Sequence, residues 1–268
     1  MGRAAAITLL TLGLVAAPAW SAPSAAIRTA VANPVRLDAE RTRDQYRHPA
    51  ETLDFLGVAP GQTVVEYSPS GGWYTRILLP LLAGNGRYIA SIGNNPRSQE
   101  GAAKMLATIP GGPSVTVVPF VPAAATMAPE GTADRVLTFR NIHNLLMQRY
   151  DEKGDEAVAR AFFAAAFKAL KPGGMLGVEE HRLPESASAA REKESGYVKR
   201  STVVRLATAA GFNLAGESEV NANPRDKADY PKGVWVLPPT LALGEEDRAR
   251  YLAIGESDRM TLRFVKPL

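Results

Sequence analysis

The sequence feature that most constrains the fold is an apolar stretch that ends in an acid and continues into a turn of small residues. Residues 64–72 read Val-Val-Glu-Tyr-Ser-Pro-Ser-Gly-Gly, which is typical of a buried strand followed by a tight strand-to-helix turn. About a hundred residues later, residues 170–174 read Leu-Lys-Pro-Gly-Gly and predict a helix end, a turn and a new strand over residues 175–178. Together the two segments predict an open α/β sheet with a ligand site above the first turn.

Strand and helix patterns alternate along the rest of the chain. The predicted strands are residues 63–67, 87–92, 115–120, 134–139, 175–179, 212–220 and 261–266, with a further short strand at 234–237. The predicted helices are residues 35–56, 73–82, 101–109, 156–170 and 201–210. This alternation predicts a doubly wound, mostly parallel sheet in a single domain over residues 41–268, preceded by a flexible lead-in at residues 23–40.

The N-terminal residues have the pattern of a secretory signal peptide. Arg3 precedes an apolar run over residues 4–17, and small residues follow. We therefore predict a signal peptide at residues 1–22, with cleavage between residues 19 and 26. The run is shorter than the about 20 residues of a membrane span, so we expect an exported, periplasmic protein without a stable membrane span. An uncleaved N-terminal anchor is the alternative.

Composition narrows the class of protein further. The chain has no cysteine, which excludes disulfides, a lipid-bearing cysteine and metal–thiolate sites. Its net charge of +4 is spread over scattered basic residues, so we expect no nucleic-acid partner. Oligomeric state is left open by the sequence.

The order of these segments resembles the class I S-adenosylmethionine-dependent methyltransferases, and more narrowly a little-characterised group of exported predicted methyltransferases. The resemblance covers the chain from about Arg41 to its end. It is carried by the two glycine turns and by residues 43–49, 139–144 and 255–260. It implies a Rossmann-like, seven-stranded sheet whose last strand is antiparallel, S-adenosylmethionine as the cofactor, and a small-molecule substrate.

The first turn matches the pattern of that class, in which an acid is followed by three glycines at alternate positions. Here the acid is Glu66, and Ser68 and Ser70 replace the first two glycines, so that only Gly72 keeps the pattern. The resemblance implies cofactor contacts from these four residues and from Gly71. A strand-to-helix turn without a ligand is the alternative.

Two further segments are assigned to the cofactor by resemblance. The class places an acid after the second strand to bind the ribose, whereas this chain has Asn94 and Asn95, of which Asn95 is the stronger candidate. A plain Asn-Pro turn is equally open. By resemblance, residues 43–49 would close over the cofactor, with Tyr46 stacking or hydrogen-bonding and Arg47 or Arg43 binding a carboxylate. A solvated amphipathic helix is the alternative.

The loop after the fourth strand carries the candidate catalytic residues. Polar residues follow an aliphatic strand abruptly there, which favours an active-site loop. We predict His143 as the general base because histidine titrates near neutral pH, and Arg140 and Asn141 as cofactor contacts. His181, after the fifth strand, is a second candidate on the substrate side. A histidine that only braces the loop is the alternative.

Two more site predictions concern charge and metal binding. The chain has three histidines, and no two of them are four residues apart on a helix, so no metal site is predicted. Asp258 and Arg259 are predicted to form an internal ion pair, and the alternative is that they line the pocket from its far side.

These observations predict an exported S-adenosylmethionine-dependent methyltransferase that acts on an oxygen, nitrogen or carbon of a small or lipid-like acceptor. Export separates such an enzyme from the compartment in which its methyl donor is made. The alternative is therefore a non-catalytic protein that binds a small ligand on the same fold. An interaction module of the cell envelope is a third possibility.

Overall fold

The computed structural model describes residues 22–147 and 156–268, so the predicted signal peptide lies outside the described residues except for Ala22. The helices are α1 (Ala25–Val31), α2 (Asp38–Arg41), α3 (Asp44–Arg47), α4 (Pro49–Phe55), α5 (Thr75–Leu82), α6 (Pro96–Ala107), α7 (Ile142–Leu146), α8 (Ala157–Ala169), α9 (Arg200–Ala209) and α10 (Arg248–Ile254). The strands are β1 (Thr63–Tyr67), β2 (Arg87–Gly93), β3 (Thr116–Phe120), β4 (Ala133–Phe139), β5 (Leu170–Leu183), β6 (Val198–Lys199), β7 (Asn213–Ser218) and β8 (Arg259–Val265).

The strands of the described chain form one sheet, in which seven lie in the order β3-β2-β1-β4-β5-β8-β7. Neighbours from β3 to β5 are parallel, whereas β8 runs antiparallel to both β5 and β7. The predicted doubly wound sheet with an antiparallel last strand is therefore confirmed. The eighth strand, β6, is a two-residue addition that pairs with the end of β5.

The N-terminal region is more segmented and more ordered than its sequence predicts. Residues 35–56 form three short helices instead of one, because His48 adopts a left-handed φ of 39° and Pro49 begins a new helix. A proline disfavours helical geometry in the residue before it. Residues 23–40, expected as a flexible lead-in, contain α1, whose Ile27 and Ala30 are buried in the same apolar cluster as α4 and α5.

Two predictions near the second half of the sheet also differ from the structure. Residues 233–236 form a 3-10 helix in place of the short strand expected at 234–237. The Lys-Pro-Gly-Gly segment lies inside a longer β5, where residues 171–174 bulge out of the pairing with β4. Its role in joining α8 to the strand is retained, since α8 ends at Ala169.

The sheet separates two apolar clusters, and a site can form at the carboxyl ends of its central strands. One cluster packs around Phe162 and Phe163 of α8, and the other around Leu53 of α4 and Ile77 of α5. The strand order changes direction at β1 and β4, and ligands in open α/β sheets bind beyond the carboxyl ends of strands at such a point. No described helix has both the length and the apolar character needed to cross a membrane.

Candidate active site

A cavity of about 470 Å³ opens at the carboxyl ends of β1, β4 and β5. Its walls come from the turn after β1, the loop after β4, the α2–α3 region, the 3-10 helix at 233–236 and the segment before β8. The lining includes Glu40, Arg43, Arg47, Glu66, Ser68, Ser70, Gly71, Trp73, Tyr74, Arg140, Asn141, His143, His181, Trp235, Glu256 and Ser257.

The backbone of the first turn has left-handed geometry at the three positions where the methyltransferase pattern has glycine. The φ angles are 53° at Ser68, 52° at Ser70 and 82° at Gly72. A residue with a side chain pays about 1 kcal/mol or more for this geometry, so the two serines are strained. At Gly72 a Cβ atom would lie 2.7 Å from Met105 Sδ, whereas a Cβ on Gly71 would meet nothing within 4 Å. The small residues of this turn thus leave space for a ligand to approach the backbone.

Glu66 ends β1 as a buried carboxylate held by hydroxyl groups. Tyr88 donates a hydrogen bond of 2.6 Å to Glu66 Oε2, and Thr75 donates one of 2.9 Å to the same oxygen. Burial raises the pKa of Glu66 to about 7, against the lowering effect of the hydroxyl groups and of Arg140. This carboxyl group therefore titrates near neutral pH within the cavity wall.

The end of β2 contributes little to this cavity. Asn95 is exposed and caps α6, where its Oδ1 accepts a hydrogen bond of 2.9 Å from the backbone N–H of Ser98. Neither Asn95 nor Asn94 is among the cavity's lining residues within the described chain. The contact of Asn95 with the cofactor's ribose stays a prediction. The side chain would have to bind the ribose while its Oδ1 caps α6.

His143 is buried at the start of α7 and is held by Glu180. Its Nδ1 lies 2.9 Å from Glu180 Oε1, and the same carboxylate accepts backbone hydrogen bonds from Ile142 (2.5 Å), His143 (3.2 Å) and His181 (2.8 Å). Because Glu180 receives only N–H donors, Nδ1 of His143 carries a proton in this arrangement. Nε2 is then the ring nitrogen available to a molecule in the cavity, since His143 lines it.

His181 lies beside His143, with ring centroids 5.2 Å apart. Its Nδ1 is 2.6 Å from Ser257 Oγ, a contact across 76 residues of sequence. Burial lowers the pKa of His181 well below its usual value, and the nearby charges of His143, Arg140, Arg259 and Arg47 lower it further. The imidazole is therefore neutral at physiological pH. The structure brings both predicted histidines into one cavity.

One group of described residues has the composition of a metal site, although no metal site is predicted from the sequence. His143, Glu180 and His181 offer ligand atoms within 4.8 Å of one another. The surroundings oppose a cation, however. Each oxygen of Glu180 already accepts two hydrogen bonds, and the charge of Arg140 acts on the adjacent His181. The arrangement therefore fits a hydrogen-bonded catalytic pair better than a metal centre.

Glu179 is fully buried beneath the cavity and joins three partners. Arg140 Nη1 donates a hydrogen bond of 3.0 Å to its Oε1, Arg259 Nε lies 3.1 Å from the same oxygen, and Tyr74 OH donates to Oε2 over 3.1 Å. The pKa of Glu179 is lowered because the attraction of the arginines outweighs the cost of burial. Arg140 has a left-handed φ of 59°, which indicates a loop held under strain.

Glu256 is the second buried acid of this wall and binds three arginines. Arg43 Nε is 2.6 Å from Oε1, while Arg47 Nε and Arg259 Nη1 are 2.9 and 2.7 Å from Oε2. Burial raises the pKa of Glu256, but the arginines lower it more strongly, to about 2. Arg259 therefore pairs with Glu179 and Glu256, and Asp258 pairs with Arg182 instead, so the predicted Asp258–Arg259 ion pair is wrong.

Two other predicted residues have mainly structural contacts. Asn141 Nδ2 donates to the carbonyl oxygens of Tyr67 (3.2 Å) and Phe139 (3.1 Å), which ties together the ends of β1 and β4. The ring of Tyr46 packs against Gly255, and its backbone carbonyl oxygen accepts a hydrogen bond from Nη2 of Arg259. Tyr46 is not among the cavity's lining residues.

Sequence reasoning missed several residues of the site. They are Trp73, Glu179, Glu180, Trp235, Glu256 and Ser257. The two consecutive acids at the end of β5 were a usable signal, because charged residues at the carboxyl end of a buried parallel strand point to the ligand edge of a sheet.

Solved structures with a similar fold span several activities. A methyltransferase from Aquifex aeolicus that depends on S-adenosylmethionine is 14% identical with a TM-score of 0.54, over 84% of this chain and 93% of that one. A candidate methyltransferase from Bacillus halodurans is 15% identical with a TM-score of 0.52, over 82% and 98%. The cyclase SpnF is 17% identical with a TM-score of 0.54, over 90% and 92%. No family model and no curated protein matches the chain by sequence.

Identities this low establish the architecture and leave the chemistry to the site itself. The mostly parallel sheet with its antiparallel β8 agrees with the architecture that the resemblance implies. The chain has the fold of the class I S-adenosylmethionine-dependent methyltransferases, a fold that is also found in a cyclase.

Proposed function

We propose that the protein is an S-adenosylmethionine-dependent methyltransferase for a small-molecule acceptor, with His143 as the general base. One observation carries the proposal. A single cavity combines the low, left-handed turn after β1 with a buried histidine whose Nδ1 is held by Glu180. Methyl transfer to an oxygen or nitrogen requires close approach of the cofactor and removal of a proton from the acceptor. The turn after β1 would serve the first requirement and His143 the second.

The turn residues fit the cofactor's need for close approach. Ser68, Ser70 and Gly71 would hold it from below, and Gly71 presents open space where a side chain would protrude. Glu66 lines the same wall with a carboxyl group that titrates near neutral pH. When bound, S-adenosylmethionine supplies an electrophilic methyl group on a positively charged sulfur.

His143 would hold the proton that the acceptor loses. Its Nε2 takes the proton from the acceptor's hydroxyl or amine while Nδ1 keeps its hydrogen bond to Glu180. The Glu180 carboxylate stabilises the imidazolium that results, and the three backbone N–H groups fix the carboxylate itself. Trp235 lies edge-on to His143, with ring centroids 6.2 Å apart, and lines the same cavity.

A second candidate function is a small-ligand-binding protein without methyl transfer, or another chemistry on the same fold. The end of β2 favours it, because that end carries no acid and its Asn95 is committed to capping α6. The cyclase SpnF also shows that proteins of this fold include one with a different activity.

We also propose that the protein is exported to the periplasm. The proposal rests on the charged start, apolar run and small residues of positions 1–22. A fusion of the full chain to a reporter that is active only outside the cytoplasm should give signal, and a fusion that lacks residues 1–22 should give none. Equal silence of both fusions would place the protein in the cytoplasm.

The central experiment is calorimetric titration of the purified protein with S-adenosylmethionine and S-adenosylhomocysteine. We expect saturable binding of both, followed by methyl transfer to a member of an acceptor panel. Absence of binding at millimolar concentration would rule out the methyltransferase. Binding without turnover on a broad panel would favour the second candidate.

A further inference from the structure

The cavity wall formed by β4, β5 and the α2–α3 region carries more positive than negative charge. Four arginines contact only two carboxylates there. Arg140 and Arg259 share Glu179. Glu256 is shared by Arg43, Arg47 and Arg259. The third acid nearby, Glu40, is already paired with Arg76 over 2.9 Å. The four arginines therefore outnumber the carboxylates that they contact by two, and the charge of Arg140 also acts on Glu66, whose pKa burial raises to about 7.

Such an excess is costly unless something else balances it, because buried charge without a partner is strongly unfavourable. Arg47 shows the cost directly. Burial, followed by the charge of Arg140, lowers its pKa to about 9 even though Glu256 raises it. A network built only to hold the fold would be expected to have matched charges.

These arginines have guanidinium donors that no described residue uses. Among described residues the side chain of Arg47, which is 5% exposed, makes one hydrogen bond, from Nε to Glu256, and its guanidinium stacks on Trp73 at 5.0 Å. Arg140 likewise uses only Nη1, toward Glu179. Arg43 Nη2 is buried and has no hydrogen-bond partner in the described chain. All three arginines line the cavity.

We propose that Arg43, Arg47 and Arg140 bind an oxyanion of the acceptor, so that the acceptor is an organic anion bearing a carboxylate or phosphate group. The proposal rests on the function proposed above and names the substrate class of that site. Guanidinium groups suit both anions because their planar donors match two oxygens at once.

The position of the arginines favours the acceptor over the cofactor as the source of this anion. Arg140 and Arg47 lie close enough to His181 to lower its pKa, and His181 packs against His143. An anion held by these arginines would therefore place the body of the molecule beside the general base. Trp235, which contacts His143 edge-on, would cover that body with an apolar surface.

The test is calorimetric titration of the full-length protein with inorganic phosphate, in the presence and absence of saturating S-adenosylhomocysteine. We expect phosphate to bind equally well in both conditions. The Arg47→Gln and Arg43→Gln variants should each weaken phosphate binding at least tenfold, and two variants are used because Arg47 is buried and its loss can impair folding. Arg160→Gln, which removes an exposed arginine of α8, is the matched control and should leave binding unchanged.

Each contrary result overturns a distinct claim. Absence of phosphate binding, or binding that survives both substitutions, refutes the anion site. Competition between phosphate and S-adenosylhomocysteine shows that the arginines hold the cofactor's carboxylate and refutes an anionic acceptor. Phosphate binding by a protein that never binds S-adenosylhomocysteine leaves the anion site standing and refutes the methyltransferase. A panel of aromatic carboxylates and phosphate monoesters then separates the two kinds of anion.

Discussion

Two buried glutamates that line one cavity have pKa values displaced in opposite directions. Glu66, on the wall formed by the turn after β1, is raised to about 7, whereas Glu256, on the wall that carries the arginines, is lowered to about 2. Burial raises both. The difference lies in their partners, since Tyr88 and Thr75 offer Glu66 neutral hydroxyl groups and three arginines surround Glu256.

This contrast separates the work of the two walls. The wall formed by residues 66–72, here called the turn wall, is shaped mainly by backbone conformation. Its one carboxyl group, that of Glu66, is neutral in part of the population at pH 7. The other wall, here called the arginine wall, consists of Arg43, Arg47, Arg140 and Arg259 with Glu179 and Glu256. Ion pairs hold these side chains in place, and the arginines outnumber the carboxylates. A cavity of this kind suits a molecule with a neutral or cationic part on one side and an anionic part on the other.

The largest expected effect tests the chemistry next to the arginine wall. Replacement of His143 by Ala should lower turnover of an identified acceptor by roughly 10²–10⁴-fold, because it removes the general base. Affinity for S-adenosylhomocysteine, measured by calorimetry, should stay within about threefold, since His143 is not part of the turn. His48→Asn is the control, because His48 lies outside the cavity lining and Asn tolerates its left-handed backbone. Unchanged turnover in the His143 variant would remove it as the base.

The second-largest expected effect is the loss of stability on replacing Glu256, the acid that three arginines of this wall share. Glu256→Gln should lower the free energy of unfolding at pH 7 by about 3–5 kcal/mol, because it leaves the buried Arg47 and Arg259 and the half-buried Arg43 without their shared partner. The folded-state pKa of Glu256 is lowered from 4.5 to about 2, so its stabilisation is present above pH 4.5 and is lost as pH falls toward 2.

Urea unfolding of the wild type and the Glu256 variant at pH 7 and at pH 3 checks this prediction. The difference between the two proteins should shrink at the lower pH. A difference below 1 kcal/mol at pH 7 would show that the arginines do not depend on Glu256, and the account of this wall would then be wrong.

Glu66 should show the opposite pH dependence. Its folded-state pKa is raised from 4.5 to about 7, so the folded protein binds a proton more tightly than the unfolded chain. Its contribution to stability should therefore fall by about 3 kcal/mol as pH rises from 4.5 to 7. Glu66→Gln should remove that part of the pH dependence, as measured by urea unfolding at half-unit steps. Glu246→Gln, at an exposed site, should retain it. Equal slopes in the two variants would contradict the raised pKa.

The two walls also differ in how far the sequence predicts them. The turn wall is local, so the residue types at 66–72 are enough to place its bend, and the structure finds left-handed φ angles at the three glycine positions of the pattern. The two histidines are brought together because His143 follows β4 and His181 lies near the carboxyl end of β5, the parallel neighbour of β4.

The arginine wall depends on contacts that no local pattern contains. Arg43 and Glu256 are 213 residues apart, and the sequence offered Asp258 as the nearer partner for an arginine in that segment. For Arg259 the partners are set by the antiparallel pairing of β8 with β5, which places it opposite His181 and beside Glu179. Asn95 shows the converse difficulty, because an asparagine before a proline suits a helix cap as well as a ligand contact.

The smallest effect concerns the strain that the serines bring to the turn wall. Ser70→Gly should raise the free energy of unfolding by up to about 1 kcal/mol, because glycine adopts a φ of 52° without steric cost while losing somewhat more chain entropy. Ser98→Gly in α6 is the matched control and should lower stability by about 0.5–1 kcal/mol, since its backbone is helical. Urea unfolding of both variants gives the two signs. If Ser70→Gly destabilises as Ser98→Gly does, the Ser70 hydroxyl, which donates to the carbonyl oxygen of Ser68 over 3.2 Å, is worth more than the strain it accompanies. The serines would then be holding the turn in shape as well as leaving room above it, and the turn wall would depend on side chains as the arginine wall does.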